Sequence, residues 1–222
     1  METSLHRELK ALYAGDGAQL EVPLDNYRID VVHNGRLVEI QHGSLSAIRD
    51  KIGRLLEEHK VTVVKPIVVR RLLVKRKKEG GRVIDRRMSP KRGKVLDLFD
   101  ELVHFTRVFP HRRLTIEVPL VDVEEWRYPG HGRRRRWRER DHQIEDQKLV
   151  TVHETLRLRT KSDLKSLVEC HLPNPFHTGH LAEGLGVERW IAQRIAYCLR
   201  KTGTAHTVGK QGNALLYEFS VK

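Results

Sequence analysis

Apolar and polar positions change rhythm several times along this chain, and each change predicts an element. In residues 3–13, TSLHRELKALY, Leu5, Leu9 and Leu12 recur at helical spacing, and Gly15 and Gly17 lie just beyond. Residues 19–24 alternate instead, with Leu20, Val22 and Leu24 on one side and Glu21 on the other, as in a half-buried strand. Two strand-like runs, YRIDVV and RLVEIQ, then flank His33-Asn34-Gly35, and Asn-Gly between alternating runs is a strong hairpin signal. Helical spacing returns over 44–58, where Leu45, Ile48, Ile52, Leu55 and Leu56 follow Ser44 as N-cap. VTVVKPIVV at 61–69 is expected to be one buried strand. The order helix, three strands, helix, strand predicts a mixed α/β layer domain. A helix over 94–108, with Val95, Leu98, Phe99, Leu102 and Phe105 apolar, and a strand near 114–121 complete it.

The remainder reads differently. Residues 75–94 are basic and glycine-containing, a surface loop or hairpin. The run RRRRWRER at 133–140 lies in a basic connecting segment over 126–160. From 161 onward the pattern predicts three helices, near 161–171, at GHLAEGL and from Glu188 to Lys201. Two strands follow, at 204–208 and 214–221, joined by GKQGN. The expected organisation is therefore 1–125, 126–160 and 161–222.

The hairpin carries the most chemical information. A two-residue turn at Asn34-Gly35 sets Val32 opposite Leu37, Asp30 opposite Glu39 and Arg28 opposite Gln41. Strand alternation puts Asp30, Glu39, Gln41 and Arg28 on one face, with Ile29, Val31, Val38 and Ile40 on the other. Like charges directly opposite on a sheet destabilise it, and a bridging divalent cation relieves them. Carboxylate oxygens with water suit Mg²⁺ or Mn²⁺. The plain alternative is a solvated polar face of a half-buried hairpin.

Charge names the partner class. Forty-two Lys+Arg against 29 Asp+Glu give +13 and a pI near 10, which favours a polyanion, above all nucleic acid. No basic amphipathic helix with a Trp/Phe/Leu face, signal peptide or membrane-length apolar run is found, so a cytoplasmic, nucleoid-associated location is expected and no membrane partner. Cys170 and Cys198 make no disulfide framework, and with His171, His177 and His180 they lack zinc-ligand spacing.

Residues 3–69, with Asp30 and the triplet Glu39-Ile40-Gln41, resemble the PD-(D/E)xK nuclease superfamily of restriction endonucleases and Holliday-junction resolvases. The resemblance implies a metal held by Asp30 and Glu39, with Glu8 as helix acid or Glu21 in its place, and hydrolysis of DNA phosphodiesters. Gln41 stands where the family has lysine. It can orient a water but carries no charge, and Arg28, Lys51 and His42 are candidate replacements. The C-terminal segment resembles a winged helix-turn-helix. Ile191, Ile195, Cys198 and Leu199 form its apolar spine. The likeness implies that Arg189 and Gln193 meet base edges while Arg200, Lys201 and Lys210 contact phosphates. Arg133, Arg134, Arg135, Arg136 and Trp137 add a basic run with a stacking aromatic. The expectation is an α/β protein with a restriction-endonuclease-like mixed sheet core and a C-terminal winged-helix domain, cutting DNA with Mg²⁺ or Mn²⁺. The alternative is a non-catalytic DNA-binding regulator on the same core. No small-molecule cofactor is implied, and the oligomeric state, a homodimer included, stays open.

Overall fold

The structure, a computed structural model, describes residues 2–130 and 141–220. The first elements are α1 (Ser4–Tyr13), β1 (Gln19–Leu24), β2 (Tyr27–His33), β3 (Arg36–Ile40), α2 (Arg49–Leu55) and β4 (Lys60–Val64). They follow the predicted order of helix, three strands, helix, strand. Thr3 starts α1, its hydroxyl accepting the His6 N–H, and the helix buries Leu5 and Leu9. Next come β5 (Ile67–Arg76), β6 (Val83–Met88), α3 (Leu98–Leu102), β7 (Leu114–Pro129) and β8 (His142–Leu158). The chain ends with α4 (Lys161–Ser166), α5 (Thr178–Leu185), α6 (Arg189–Lys201), β9 (Ala205–Gln211) and β10 (Ala214–Phe219). One eight-stranded sheet runs in the order β1-β2-β3-β4-β7-β5-β6, with β8 paired to β7. It is mixed, since β5 and β7 are parallel whereas β1-β2, β2-β3 and β5-β6 are antiparallel. The protein is thus α/β with a large mixed sheet.

Four expectations need revision. The single strand over 61–69 is two, β4 and β5, parted at Lys65-Pro66, because proline has no N–H to continue a ladder. The helix over 94–108 shrinks to a 3₁₀ turn at Val95–Asp97 and the short α3. The helix over 44–58 likewise opens with a 3₁₀ turn, Leu45–Ala47, before α2. The described residues of 126–160, expected to be a connecting segment, are mostly strand: β7 continues to Pro129 and β8 fills 142–158. β8 hides in the sequence because its faces are largely solvated; even Ile144 and Val150 are exposed.

The chain forms two compact units, each drawn from three stretches. The first comprises the described residues of Met1–His42, Val64–Lys94 and Val118–Leu156. Its core packs Leu5 and Leu9 of α1 on Val31, Val38, Ile40, Val64, Val121 and Val123. The second comprises Gly43–Val63, Val95–Glu117 and the described residues of Arg157–Lys222. There α6 lies against α3, with Arg194 Nη1 donating to Asp100 Oδ1 at 2.6 Å and the Cys198 thiol facing the Phe99 carbonyl at 3.7 Å. Burial, with the Asp100 charge nearby, pushes that thiol up to about 12.

Candidate functional site

The β2-β3 turn has the two residues its sequence predicts. Asn34 and Gly35 both take positive φ, 50° and 68°, as a type I′ turn requires. The ladder pairs His33 with Arg36, Val32 with Leu37 and Val31 with Val38. The next pair in that register is Asp30 and Glu39. There the ladder stops, and the Asp30 carboxylate itself accepts the Ile40 N–H at 2.7 Å. On the other side, β1 and β2 pair Leu20 with Val31 and Val22 with Ile29, skipping only the position where Glu21 meets Asp30. Glu21 departs from strand geometry with φ 54°. Three acids, Glu21, Asp30 and Glu39, therefore occupy one row across three strands, at the row where the backbone pairing lapses.

Helix α1 supplies the compensating charge. His6 and Lys10 are one turn apart along it, and Glu2, just before the Thr3 cap, continues their four-residue spacing. His6 Nε2 lies 3.2 Å from Asp30 Oδ1, and Lys10, buried, pairs with Glu21 and Glu2. Arg28 Nε reaches Glu21 at 2.7 Å. Burial alone would raise the Asp30 carboxyl, but the His6 hydrogen bond, the Ile40 N–H and the His6 and Lys10 charges hold it below the usual carboxylate range. Burial likewise opposes the Lys10 charge, and its hydrogen bonds and charge attraction to Glu2 and Glu21 outweigh that and raise it.

Buried polar groups extend from this row along the first unit. Lys65, just past β4, donates to the His42 carbonyl at 3.0 Å, and the Gln41 N–H donates to the Val64 carbonyl at 2.8 Å. Burial lowers the His42 imidazole, reinforced by the cations Lys65, Arg71 and His6 and opposed by Glu125. Glu125, on β7, is buried and accepts from Gln147 at 3.0 Å, with Arg71 at 3.2 Å.

Of the residues expected from sequence, Asp30, Glu39 and Glu21 are thus brought to one row. Glu8 is not. It sits about 200° round α1 from His6, and its carboxylate accepts the Leu149 N–H of β8 at 2.6 Å. The helix meets Asp30 through His6, which the sequence reading missed; its signal is the Glu2-His6-Lys10 spacing. Among the proposed lysine replacements, Arg28 turns to Glu21, and His42 is bracketed by Lys65 and Arg71, two cations the sequence did not single out. Among the described residues no group of three or more His, Cys, Asp and Glu is arranged to hold a metal ion.

In the second unit, α4, α5 and α6 precede the β9-β10 hairpin. Phe176 forms an isolated bridge to Tyr217, each N–H donating to the other's carbonyl at 2.9 and 2.7 Å, beside the two-stranded hairpin. Ala192, Ile195, Ala196, Cys198 and Leu199 face inward on α6. Arg189, Trp190, Gln193, Arg194, Tyr197, Arg200 and Lys201 are exposed on it, as is Lys210 on β9. The guanidinium of Arg194 lies 4.7 Å from the Trp190 ring and the Lys201 ammonium 5.9 Å from that of Tyr197. The helix carries no acidic residue. Arg133, Arg134, Arg135, Arg136 and Trp137 lie outside the described residues. No helix among the described residues is long and apolar enough to cross a membrane.

A protein of Treponema pallidum (strain Nichols), described as uncharacterized, is 33% identical over 218 residues, covering 97% of this chain and 84% of its own length. No solved structure matches. The family model of a domain of unknown function, DUF8091, matches residues 3–159 and ends just before Thr160, the N-cap of α4. The chain belongs to this DUF8091 family.

Proposed function

We propose that this protein binds DNA and hydrolyses its phosphodiester bonds with a divalent cation, Mg²⁺ or Mn²⁺, held by Asp30 and Glu39. The observation that carries this reading is the acid row at the break in the β1-β2-β3 ladders, where backbone pairing gives way to carboxylates. The donor set fits such a cation. Mg²⁺ is ordinarily held by one or two carboxylates, with water and substrate phosphate completing its shell, so a cage of three protein ligands is not required. Asp30 and Glu39 would hold it, Glu21 being the third acid of the row. The bound cation would supply an activated water and stabilise the charge developing on the phosphate. Asp30 is held ionised, which keeps its oxygens available as hard donors. Gln41, two residues from Glu39 and on its face by alternation, offers an amide to orient the attacking water. Lys65, which reaches the His42 carbonyl, offers positive charge that Gln41 lacks.

The C-terminal elements support DNA as the substrate. Three helices followed by a two-stranded hairpin are consistent with a winged helix-turn-helix, and the exposed side of α6 combines Arg189, Gln193, Arg200 and Lys201 with no acid.

A second reading, DNA binding without cutting, is favoured by the pairing of Asp30 with His6 and of Glu21 with Lys10, which relieves the acid row without a metal, and by the attachment of Glu8 to Leu149. Incubation with supercoiled and branched DNA in Mg²⁺ or Mn²⁺ decides between them. Cutting by the wild type that is lost in Asp30→Asn supports the first reading; binding with no cutting of any substrate leaves the second. In the same assay, Arg189→Ala with Lys210→Ala is expected to weaken DNA binding and make its salt dependence shallower by about one phosphate contact, that of Lys210. Unchanged affinity would remove the winged-helix role.

A further inference from the structure

At the far end of the first unit's sheet, three cations gather on one face without forming a set of ion pairs. Lys75 on β5 is in direct parallel register with Arg127 on β7, so the two point the same way on neighbouring strands. On β6, Asp85 is the direct partner of Lys75 and Arg87 that of Leu73, two residues earlier, so both share that face. Neighbouring strands lie about 4.8 Å apart, and like charges directly opposite are destabilising. Neither Lys75 nor Arg127 has an ion-pair partner among the described residues. Arg87 has one at the limit of such contacts, Asp85 at 4.0 Å.

These side chains line a cavity of about 700 Å³, together with Tyr128, Asp85 and Asp141. Its size is that of a small-ligand site. Asp85 is taken up loosely by Arg87, and Asp141 packs over Gly130, where an added Cβ would meet its carboxylate at 2.4 Å. The cavity thus sets three cations, Lys75, Arg87 and Arg127, against two acids; Asp85 lies across from Lys75 in the β5-β6 register, and Arg127 has no ion-pair partner among the described residues. A carboxylate placed there would satisfy one cation well. A phosphate group has oxygens enough to meet both, and the guanidinium fork matches phosphate geometry.

We propose that this cavity binds a phosphate group through Lys75 and Arg127, with Arg87 at its rim. It uses none of the residues assigned above. The phosphate has two sources: the backbone of a nucleic acid, which rests on the DNA-binding reading, or a small phosphorylated molecule, which does not.

The test compares wild type with Lys75→Ala/Arg127→Ala. Lys75→Gln/Arg127→Gln keeps much of each stem in case the first variant folds poorly, and Arg54→Ala/Lys60→Ala removes the same charge from exposed positions elsewhere. Binding of inorganic pyrophosphate is measured by titration calorimetry, and binding of a labelled duplex by anisotropy across a salt series. The cavity variants should lose pyrophosphate affinity at least tenfold, or show a slope of log K against log salt shallower by about 2, while the control matches wild type. The duplex effect alone assigns the site to nucleic-acid backbone; the pyrophosphate effect alone assigns it to a small ligand. Folded cavity variants that match wild type in both assays, a control that loses as much as they do, or a wild type that binds neither probe would overturn the proposal. DNA cutting in a protein whose cavity variants match wild type with both probes would sink this site and leave the proposed function standing. Pyrophosphate binding that depends on Lys75 and Arg127, in a protein that ignores DNA, would do the reverse.

Discussion

At the residue scale, Asp30 has two roles that substitution can separate. Its carboxylate takes the Ile40 N–H that the ladder leaves over, and it carries the charge that faces His6. Asp30→Ala strands a sheltered N–H and should destabilise the protein by about 1–3 kcal/mol in urea unfolding. Asp30→Asn keeps an acceptor oxygen and should cost less than half of that. Equal losses would mean that the charge, not the N–H, holds this row together. The sequence reveals the acids but not their neighbours, for a physical reason. Strand alternation and a two-residue turn fix which residues share a row, and so Asp30 and Glu39 are legible. Which helix residue reaches the row depends on the azimuth at which α1 docks, and a rotation of about 200° exchanges His6 for Glu8. The Lys65-His42 contact depends on the chain leaving β4 at Pro66, which the unbroken apolar run VTVVKPIVV conceals.

At the element scale, two glycines should answer to alanine with opposite signs, although a Cβ at either meets nothing within 4 Å. Gly35 sits at φ 68° in the hairpin turn, so Gly35→Ala is strained by backbone alone and should cost about 1 kcal/mol. Gly53 is interior to α2, where alanine is favoured, and Gly53→Ala should add about 0.5–1 kcal/mol. Paired denaturation curves check both, and a destabilising Gly53→Ala would show that helix propensity does not decide stability at this position. Caps also occupy two of the histidines. His177 and His180 each accept a backbone N–H of the other residue at Nδ1, closing a reciprocal cap at the start of α5 with the rings stacked 3.6 Å apart. Elements with one apolar face, such as α1 and α6, are legible from spacing. The long, solvated β8 is not, because its strand state comes from pairing with β7 rather than from its own alternation.

At the scale of the whole molecule, charge governs the response to acid as well as the choice of partner. A net charge of +13 rises further as carboxylates protonate, so repulsion works against the fold at low pH. Two carboxylates tie distant stretches of chain or a helix start and mark where that loss should begin. Asp146 accepts from the Ser4 hydroxyl at 2.6 Å and from the Ser4 and Gln147 N–H groups at 2.8 Å, fastening the start of α1 to β8. Asp163 accepts from the Arg159 and Thr160 N–H groups at 2.8 Å, closing the cap of α4. Burial alone would push both carboxyls up; these donors outweigh it and hold both below the ordinary range. A carboxyl lowered on folding contributes stability that is complete above its unfolded value, about 3.9, and is lost as pH falls through its lower folded value. These two sites should therefore contribute no pH dependence between about pH 7 and 5 and a loss of stability below about pH 4. Asn at both positions keeps an acceptor but removes the titration. The double variant should be less stable at neutral pH by about 1 kcal/mol per site, since hydrogen bonds to a charged acceptor are roughly twice as strong as neutral ones. Its unfolding free energy should then fall less steeply than that of wild type below pH 4. Parallel acid limbs in the two proteins would place the acid sensitivity in other carboxylates, with Asp30, also held below the ordinary range, the first to examine.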